Sequence, residues 1–401
     1  MANTWHVFKS NGCVTGLMDN KTENLLSVPQ GEFELNRLPK RSLELLRAWD
    51  AADEYLLNTL AENIKPTSDA RILILNDSFG ALAIALSGFK PHAVSDSYLS
   101  QQATRLNLMA NNLAEDSVTL INSLEALEGS YDYVLIKATK TLALLEDQLI
   151  RLHPHLHVST HVILAGMIKT LPAAIWKLLE RLVGATTTSL ARKKARLIFA
   201  TPDPELRIPV SPYPVYYQLE GSTHLICNHA NVFSRDSLDI GTRFFLQHLP
   251  QHLGRVAIVD LGCGNGLLGL IAAERNPEAR VHFVDESFMA VASARENFSR
   301  AFGEERKAVF TVGNGLDTFE TDSADLILCN PPFHQQNTIG DQIATAMIKE
   351  SRRVLKKKGE MWIVGNRHLN YHINLKQLFG NCTTVAANNK FVILKAVVKN
   401  I

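Results

Sequence analysis

Excess charge of either sign is missing from this 401-residue sequence: 41 Lys and Arg face 40 Asp and Glu, for a formal net charge of +1. With 46% apolar residues, the chain lies outside the composition of disordered segments, which combine few apolar residues with high net charge. It also has no overall basic signature, so any contact with nucleic acid must come from a local patch. No run of about 20 apolar residues occurs, which excludes a helical membrane span. Cysteine is scarce. Cys13, Cys227, Cys263, Cys329 and Cys382 are odd in number and far apart, and no C-x-x-C pair occurs. Neither a zinc knuckle nor a disulfide framework is indicated. The opening Met1–Lys9 lacks the basic-then-apolar pattern of a secretory signal. These absences predict a cytoplasmic globular protein with reduced thiols and no metal. The length predicts two or three domains.

What is present is an alternation of strand-like and helix-like runs. Leu43 to Leu60 has helical spacing, with Arg47, Asp53 and Glu54 on the opposite face. Short apolar runs follow at Arg71–Leu75, His92–Asp96, Tyr131–Ile136 and His161–Ala165, separated by helical stretches. The order recurs at Val256–Asp260, Val281–Asp285, Asp325–Cys329 and Glu360–Gly365. Phe379–Thr384 and Phe391–Val398 read as a closing antiparallel pair. Such alternation predicts α/β architecture with mostly parallel sheets and crossover helices. The two halves read as a tandem duplication at an offset of about 190 residues. Ser97–Asn107 matches Ser287–Asn297, and Ala165-Gly166 matches Val364-Gly365. The second half has Gly262, Gly264 and Gly266 where the first has Gly80, and Asp285 where the first has Ser95. It has Asn330–Phe333 where the first has Lys137–Lys140. One copy keeps chemical residues and the other is degenerate. Residues 1–31 read as an N-terminal extension, 32–200 as the degenerate domain, 201–227 as a Pro-rich connection and 228–401 as the catalytic domain.

The glycines of Asp260-Leu-Gly262-Cys-Gly264-Asn-Gly266 follow a strand, where they allow a tight turn and close approach to a ligand. Asp285 ends the next strand and is suited to a pair of ribose hydroxyls. The same residues fit a dinucleotide fingerprint, since Gly264-Asn-Gly266-Leu-Leu-Gly269 matches G-x-G-x-x-G. Asp260 weighs against a pyrophosphate and toward the ammonium of a methionine moiety. Asn330-Pro331-Pro332-Phe333 follows an apolar strand. Its Asn amide oxygen and the Pro331 carbonyl can hold an exocyclic amine, and Phe333 can stack a base for about 1–3 kcal/mol. Alone this is an ordinary Asn-Pro turn. After the glycine turn and Asp285, in that order, it points to methyl transfer onto an amine.

On these motifs the carboxyl half resembles class I S-adenosylmethionine-dependent methyltransferases that act on exocyclic amines. With Asn228–Gly241, Val284–Ser287, Asn330–Gln336 and Asn388–Phe391, the chain resembles the RlmG/RsmC family of ribosomal RNA guanine-N2 methyltransferases from about residue 32 to the end. Ala51–Leu57, Ile74–Asp77, Lys137–Leu145 and Thr186–Thr188 place it nearer the large-subunit branch. The resemblance implies a tandem pair of methyltransferase-like domains of which the second binds S-adenosylmethionine, and large-subunit ribosomal RNA as substrate. It implies that Asp260, Gly262, Gly264 and Gly266 line the methionine end, that Asp285 with Glu286 holds the ribose and that Asn314 lies near the adenine. Many relatives have Asp at that last position. Asn330, Pro331, Pro332 and Phe333 would hold the guanine. RNA contacts are expected from Arg192, Lys193, Lys194 and Arg196, and from Arg235; Arg352, Arg353 and Lys356–Lys358 read as a solvated helix face. Arg235 and Asp239 suit either closure over the site or helix capping. The alternatives are a small-subunit substrate, glutamine or adenine amine methylation, a non-catalytic RNA-binding relic and, last, a dehydrogenase.

Overall fold

The computed structural model describes residues 24–39, 46–303, 305–332 and 338–399, with backbone alone for 338–341. The first unit opens with a hairpin of β1 (Leu25–Val28) and β2 (Gly31–Glu34). It continues through α1 (Ala51–Thr59), β3 (Ile72–Leu75), α2 (Ala81–Ala85), β4 (His92–Ser95), α3 (Tyr98–Ala110) and β5 (Thr119–Asn122). Then come β6 (Tyr133–Lys137), α4 (Leu142–Leu152), β7 (His161–Met167), α5 (Ala173–Leu182), β8 (Thr186–Thr188) and β9 (Ala195–Ala200). Leu26 is buried in the core beside Leu56 and Leu57, so the folded unit begins before residue 32, inside the segment read as an extension. Residues 43–45 of the expected first helix lie outside the described residues. The described helix starts at Ala51 because Asp50 caps it: its side chain accepts from Ala52 and Asp53, and the Asp53 carboxylate answers at the Asp50 N–H.

The second unit opens with a hairpin of β10 (Val215–Gln218) and β11 (Leu225–Asn228), inside the segment expected to be a connection. It adds α6 (Ile240–Leu246), β12 (Ala257–Leu261), α7 (Leu267–Arg275), β13 (Arg280–Asp285), α8 (Phe288–Phe302) and β14 (Val309–Val312). It ends with β15 (Ala324–Cys329), α9 (Thr338–Val354), β16 (Leu355–Asn366), α10 (Tyr371–Phe379), β17 (Thr383–Ala387) and β18 (Phe391–Val397). The two seven-stranded sheets run β5-β4-β3-β6-β7-β9-β8 and β14-β13-β12-β15-β16-β18-β17, the same order element for element. In each, five parallel strands are closed by an antiparallel pair. Alternate residues feed opposite faces: Ile72 and Ile74 enter one core and Leu73 and Leu75 the other. Likewise Leu326 and Leu328 face one way and Ile327 and Cys329 the other. Burial on both faces is why these strands read as continuous apolar runs.

The units meet across a pseudo-two-fold seam at the ends of β4 and β13. Ser97 and Ser287 form an antiparallel bridge. Tyr98 N donates to Glu286 O (2.9 Å) and Phe288 N to Asp96 O (3.0 Å). The carboxylate of Asp96 accepts from Ser287 Oγ (2.6 Å) and Met289 N (2.9 Å). Reciprocally, Glu286 accepts from Ser97 Oγ (2.5 Å) and Leu99 N. Each unit thus places an acid over the first turn of the other's helix, where the helix dipole favours negative charge. An apolar contact of Leu144, Ala230, Val232 and Met289 closes the seam.

Candidate functional site

The carboxyl ends of β12, β13, β14 and β15 lie along one edge of the second sheet. The chain reverses direction there, β13 and β14 lying on one side of β12 and β15 on the other. Open parallel sheets bind ligands at such a switch point. Leu261 pairs with Val284 on one side and with Cys329 on the other. The Gly262–Gly266 turn, Asp285 and Asn330 therefore leave adjacent strands side by side.

The glycine turn has left-handed backbone at Gly262 (φ 69°), Gly264 (φ 54°) and Gly266 (φ 77°). At Gly264 a Cβ would meet nothing within 4 Å, which leaves that face of the backbone open to a ligand. At Gly266 a Cβ would lie 2.6 Å from Ala294 Cβ, so glycine there also lets α7 pack on α8. Asn265 fastens the turn through its side chain to Asn228 Oδ1 (3.0 Å), and its carbonyl accepts from Asn297 Nδ2 (2.9 Å). Asp260 is buried beneath the turn and accepts from Gly269 N (2.8 Å). Burial pushes its carboxyl up to about 8, against the opposing Gly269 bond, with Asp285 adding like charge. Through that bond Asp260 braces the first turn of α7 from beneath the glycine turn.

Asp285 accepts from Gly264 N (2.9 Å) and Ser287 N (3.0 Å). Burial raises its pKa against those two bonds. Each oxygen keeps a lone pair for a further donor. Glu286, expected beside it at the ribose, instead spends its carboxylate on Ser97 across the seam. Burial pushes Glu286 up to about 7, with the Ser97 hydroxyl opposing and Asp285 and Asp96 adding to the rise. Gly313 N donates to Asp285 O (2.9 Å), bringing the Gly313–Gly315 turn beside β13, and Asn314 Nδ2 donates to Asp317 Oδ2 (2.7 Å).

Asn330 is fixed at one end and open at the other. Its Nδ2 donates to Thr242 Oγ1 (2.9 Å), and its buried Oδ1 has no partner. Pro331 is buried and Pro332 exposed, while Phe333 lies outside the described residues. Cys263 and Cys329 are buried and their thiols pushed well up by burial, so both stay protonated. Asp239 caps α6 through Thr242 N (2.7 Å), the capping option of the two expected for it. Arg235 pairs with Asp236, donates to Ala230 O and lies 5.3 Å over the Tyr213 ring. Arg192, Lys193 and Lys194 are exposed on the turn joining β8 and β9, with Arg196 following on β9. Lys193 pairs with Glu54 (2.7 Å) and Arg192 lies 5.1 Å over Tyr55. Sequence reading passed over Thr242 and Asp96, because nothing local marks a threonine in a helix or an acid after a strand as a partner of a distant residue.

In the first unit the corresponding place is filled by the chain itself. Leu75 pairs with Ile136 as Leu261 pairs with Cys329, so Lys137 stands where Asn330 stands. Its ammonium lies 2.9 Å from Asp50 and 2.7 Å from Asp53. Asp77 accepts from Gly80, Ala81, Leu82 and Ala83 N–H at the start of α2.

Residues 23–204 match the family described as RLMG N-terminal domain, and residues 223–395 the family described as Methyltransferase small domain. The chain is 51% identical over 374 residues to the ribosomal RNA large subunit methyltransferase G of Pseudomonas fluorescens, covering 93% of this chain and 99% of that one. It is 47% identical over 381 residues to the same-named protein of Streptomyces griseus, at the same coverage. Among solved structures, the Thermus thermophilus 16S rRNA N2 G1207 methyltransferase (RsmC), in complex with AdoMet and guanosine, shares the fold with TM-score 0.73. That match has 20% identity over 94% of this chain and 97% of that one. The paired family matches and the near full-length identity place this chain in the ribosomal RNA large subunit methyltransferase G family.

Proposed function

We propose that the chain transfers the methyl group of S-adenosylmethionine to the exocyclic N2 amine of a guanine in large-subunit (23S) ribosomal RNA. The observation that carries this reading is the buried, unpartnered Oδ1 of Asn330, set beside the Gly262–Gly266 turn. A buried acceptor left without a donor costs about 1–3 kcal/mol. The amine of a base drawn out of its stack would satisfy it. The names of the relatives support the large-subunit substrate, and the fold shared with a guanine-N2 methyltransferase of small-subunit rRNA supports the N2 position.

The residues present fit the cofactor: the open face at Gly264 admits a ligand to the backbone, and Asp285 retains lone pairs for ribose hydroxyls. Gly262, Gly264 and Gly266 would hold the methionine end, with Asp260 bracing the turn. Asp285 would hold the ribose and Asn314 the adenine, while Glu286 steadies the Asp285 loop from the seam. The cofactor, when bound, supplies a methyl group on a sulfonium. The protein's part is position, which in well-oriented systems removes about 7–11 kcal/mol of barrier. Asn330 Oδ1 and the Pro331 carbonyl would accept hydrogen bonds from the two amine N–H groups and aim the nitrogen lone pair, and Phe333 is the residue proposed to stack on the base. The amine nitrogen would take that methyl group, the sulfur would keep the electron pair of the broken C–S bond, and the amine proton would leave to water. The degenerate domain (32–200, with its hairpin) serves as scaffold and RNA contact through Arg192, Lys193, Lys194 and Arg196, and residues 228–401 carry the chemistry. Arg235 steadies the entry segment.

The test is transfer from radiolabelled S-adenosylmethionine to large- and small-subunit rRNA, each protein-free and as particles, with nucleoside analysis. Label in N2-methylguanosine from large-subunit RNA is expected. Label in small-subunit RNA alone moves the substrate. No label in any RNA overturns the reading.

A further inference from the structure

We infer that Thr242 is a positioning residue for the transfer, holding the side-chain amide of Asn330 in the one orientation that presents its oxygen to the incoming amine. This rests on the reading of Asn330 as the group that takes that amine.

The orientation follows from counting protons. Asp239 Oδ2 accepts from Thr242 N (2.7 Å) and from Thr242 Oγ1 (3.2 Å). An ionised carboxylate only accepts, and a threonine hydroxyl carries one proton. That proton is given to Asp239, so Thr242 Oγ1 faces Asn330 with lone pairs. Asn330 must then donate, through Nδ2 at 2.9 Å. With Nδ2 committed to Thr242, Oδ1 is turned to the opposite side, where it is buried without a partner. Inverting the amide would present an NH2 to the substrate's NH2, donor against donor. The carboxylate of Asp239 thus has a second use beyond capping α6: it polarises a three-residue line, Asp239–Thr242–Asn330. Two close approaches hold α6 against this line. Cβ atoms built at Gly241 would meet Asp239 Oδ2 at 3.0 Å and Phe391 at 3.2 Å, so glycine there lets the helix start close to β18.

The test compares Thr242→Val, which keeps the shape and loses the hydroxyl, with Thr242→Ser, which keeps the hydroxyl. Each is made in the full chain, alone and with Asn330→Ala. With rRNA as methyl acceptor, Thr242→Val should lower kcat by about tenfold to a hundredfold, the scale of a misplaced reacting group. Its KM for S-adenosylmethionine and thermal transition should not change. Thr242→Ser should restore kcat, and Thr242→Val should add nothing once Asn330 is Ala. Full kcat in Thr242→Val beside an inactive Asn330→Ala overturns the relay and leaves the reading of Asn330 intact. Full activity in Asn330→Ala overturns that reading and the relay with it. An equal loss in the Val and Ser variants, with a lowered thermal transition, assigns Thr242 to structure alone and also overturns the relay.

Discussion

Replacing Asp96 by Ala should damage the second unit although Asp96 belongs to the first. Asp96 is 4% exposed. It accepts from Ser287 Oγ, Met289 N and Asn231 Nδ2 (2.7 Å) across the seam, and from Ser123 Oγ within its own unit. Hydrogen bonds to a charged group contribute about 1.5–3 kcal/mol each. The four do not add, because the serines can turn to water once the acid is gone. Met289 N is less free: it lies in the first turn of α8, where the acid also meets the helix dipole. A total of about 3–5 kcal/mol follows, the range for removing one partner of a buried charged network. For units of about 200 residues that corresponds to roughly 6–20 °C in Tm. Calorimetry on the full chain should show the transition shifted by that amount. S-adenosylmethionine binding should weaken with it, since Ser287 N holds Asp285. A shift below about 2 °C with unchanged cofactor affinity would refute the reasoning, because the seam would then be contact without coupling.

Four further outcomes test the site and the structure that supports it. Asn330→Ala should lower kcat by about 10²–10³, as loss of one preorganised polar contact does, with cofactor affinity kept. Asp285→Ala should instead raise the cofactor Kd by about tenfold to a hundredfold, read by calorimetric titration; equal loss of cofactor in both variants would sink the division. Gly266→Ala should cost about 2–4 kcal/mol in a denaturant titration, combining left-handed backbone with a Cβ forced onto Ala294. Stability should fall as pH rises from about 5 to 8. Glu286 (from 4.5 to about 7) and Asp260 (from 3.8 to about 8) keep protons in the folded chain that the unfolded chain has lost. Glu286→Gln should flatten the lower part of that slope, and an unchanged slope would remove Glu286 as its source.

The parts of this architecture that could be read in the sequence are those that local chemistry encodes. Strands β12, β13 and β15 are apolar because both sheet faces are covered; β13 ends in Asp285, and Asn330 directly follows the last residue of β15. The glycine turn is legible because left-handed backbone demands glycine. Strand β8, three threonines with two exposed, and β14, half-buried on an edge, give no periodic signal. The hairpin β1–β2 has only four residues in each strand, and its place in the core shows in the fold, where Leu26 is buried with α1 and Val28 and Phe33 pack against the same cluster. The bond of Glu286 across the seam was not legible for a different reason. Sequence adjacency to Asp285 says nothing about which way a side chain turns at the end of a strand, and its partner Ser97 lies in the other unit. Thr242 stayed hidden likewise, being paired with Asn330 only through the fold.

The duplication also explains why one unit retains a ligand edge and the other does not. Both units present the same strand order and the same left-handed glycine before the helix, Gly80 and Gly266. In the second unit Asp260 sits beneath the helix start and the backbone above it stays open. In the first, Asp77 already collects four N–H groups at the start of α2, and Lys137 brings its charge to Asp50 and Asp53 at the end of β6. Restoring Asn at position 137 would therefore not restore a site. It would leave Asp53, buried and pushed up to about 6 by that burial, without its cation, and removing one partner of a buried ion pair costs about 3–5 kcal/mol. The first unit has exchanged an edge open to a ligand for internal ion pairing. What it still contributes is support for the other unit's edge: Asp96, the acid after its own strand β4, is held against the helix that supports Asp285.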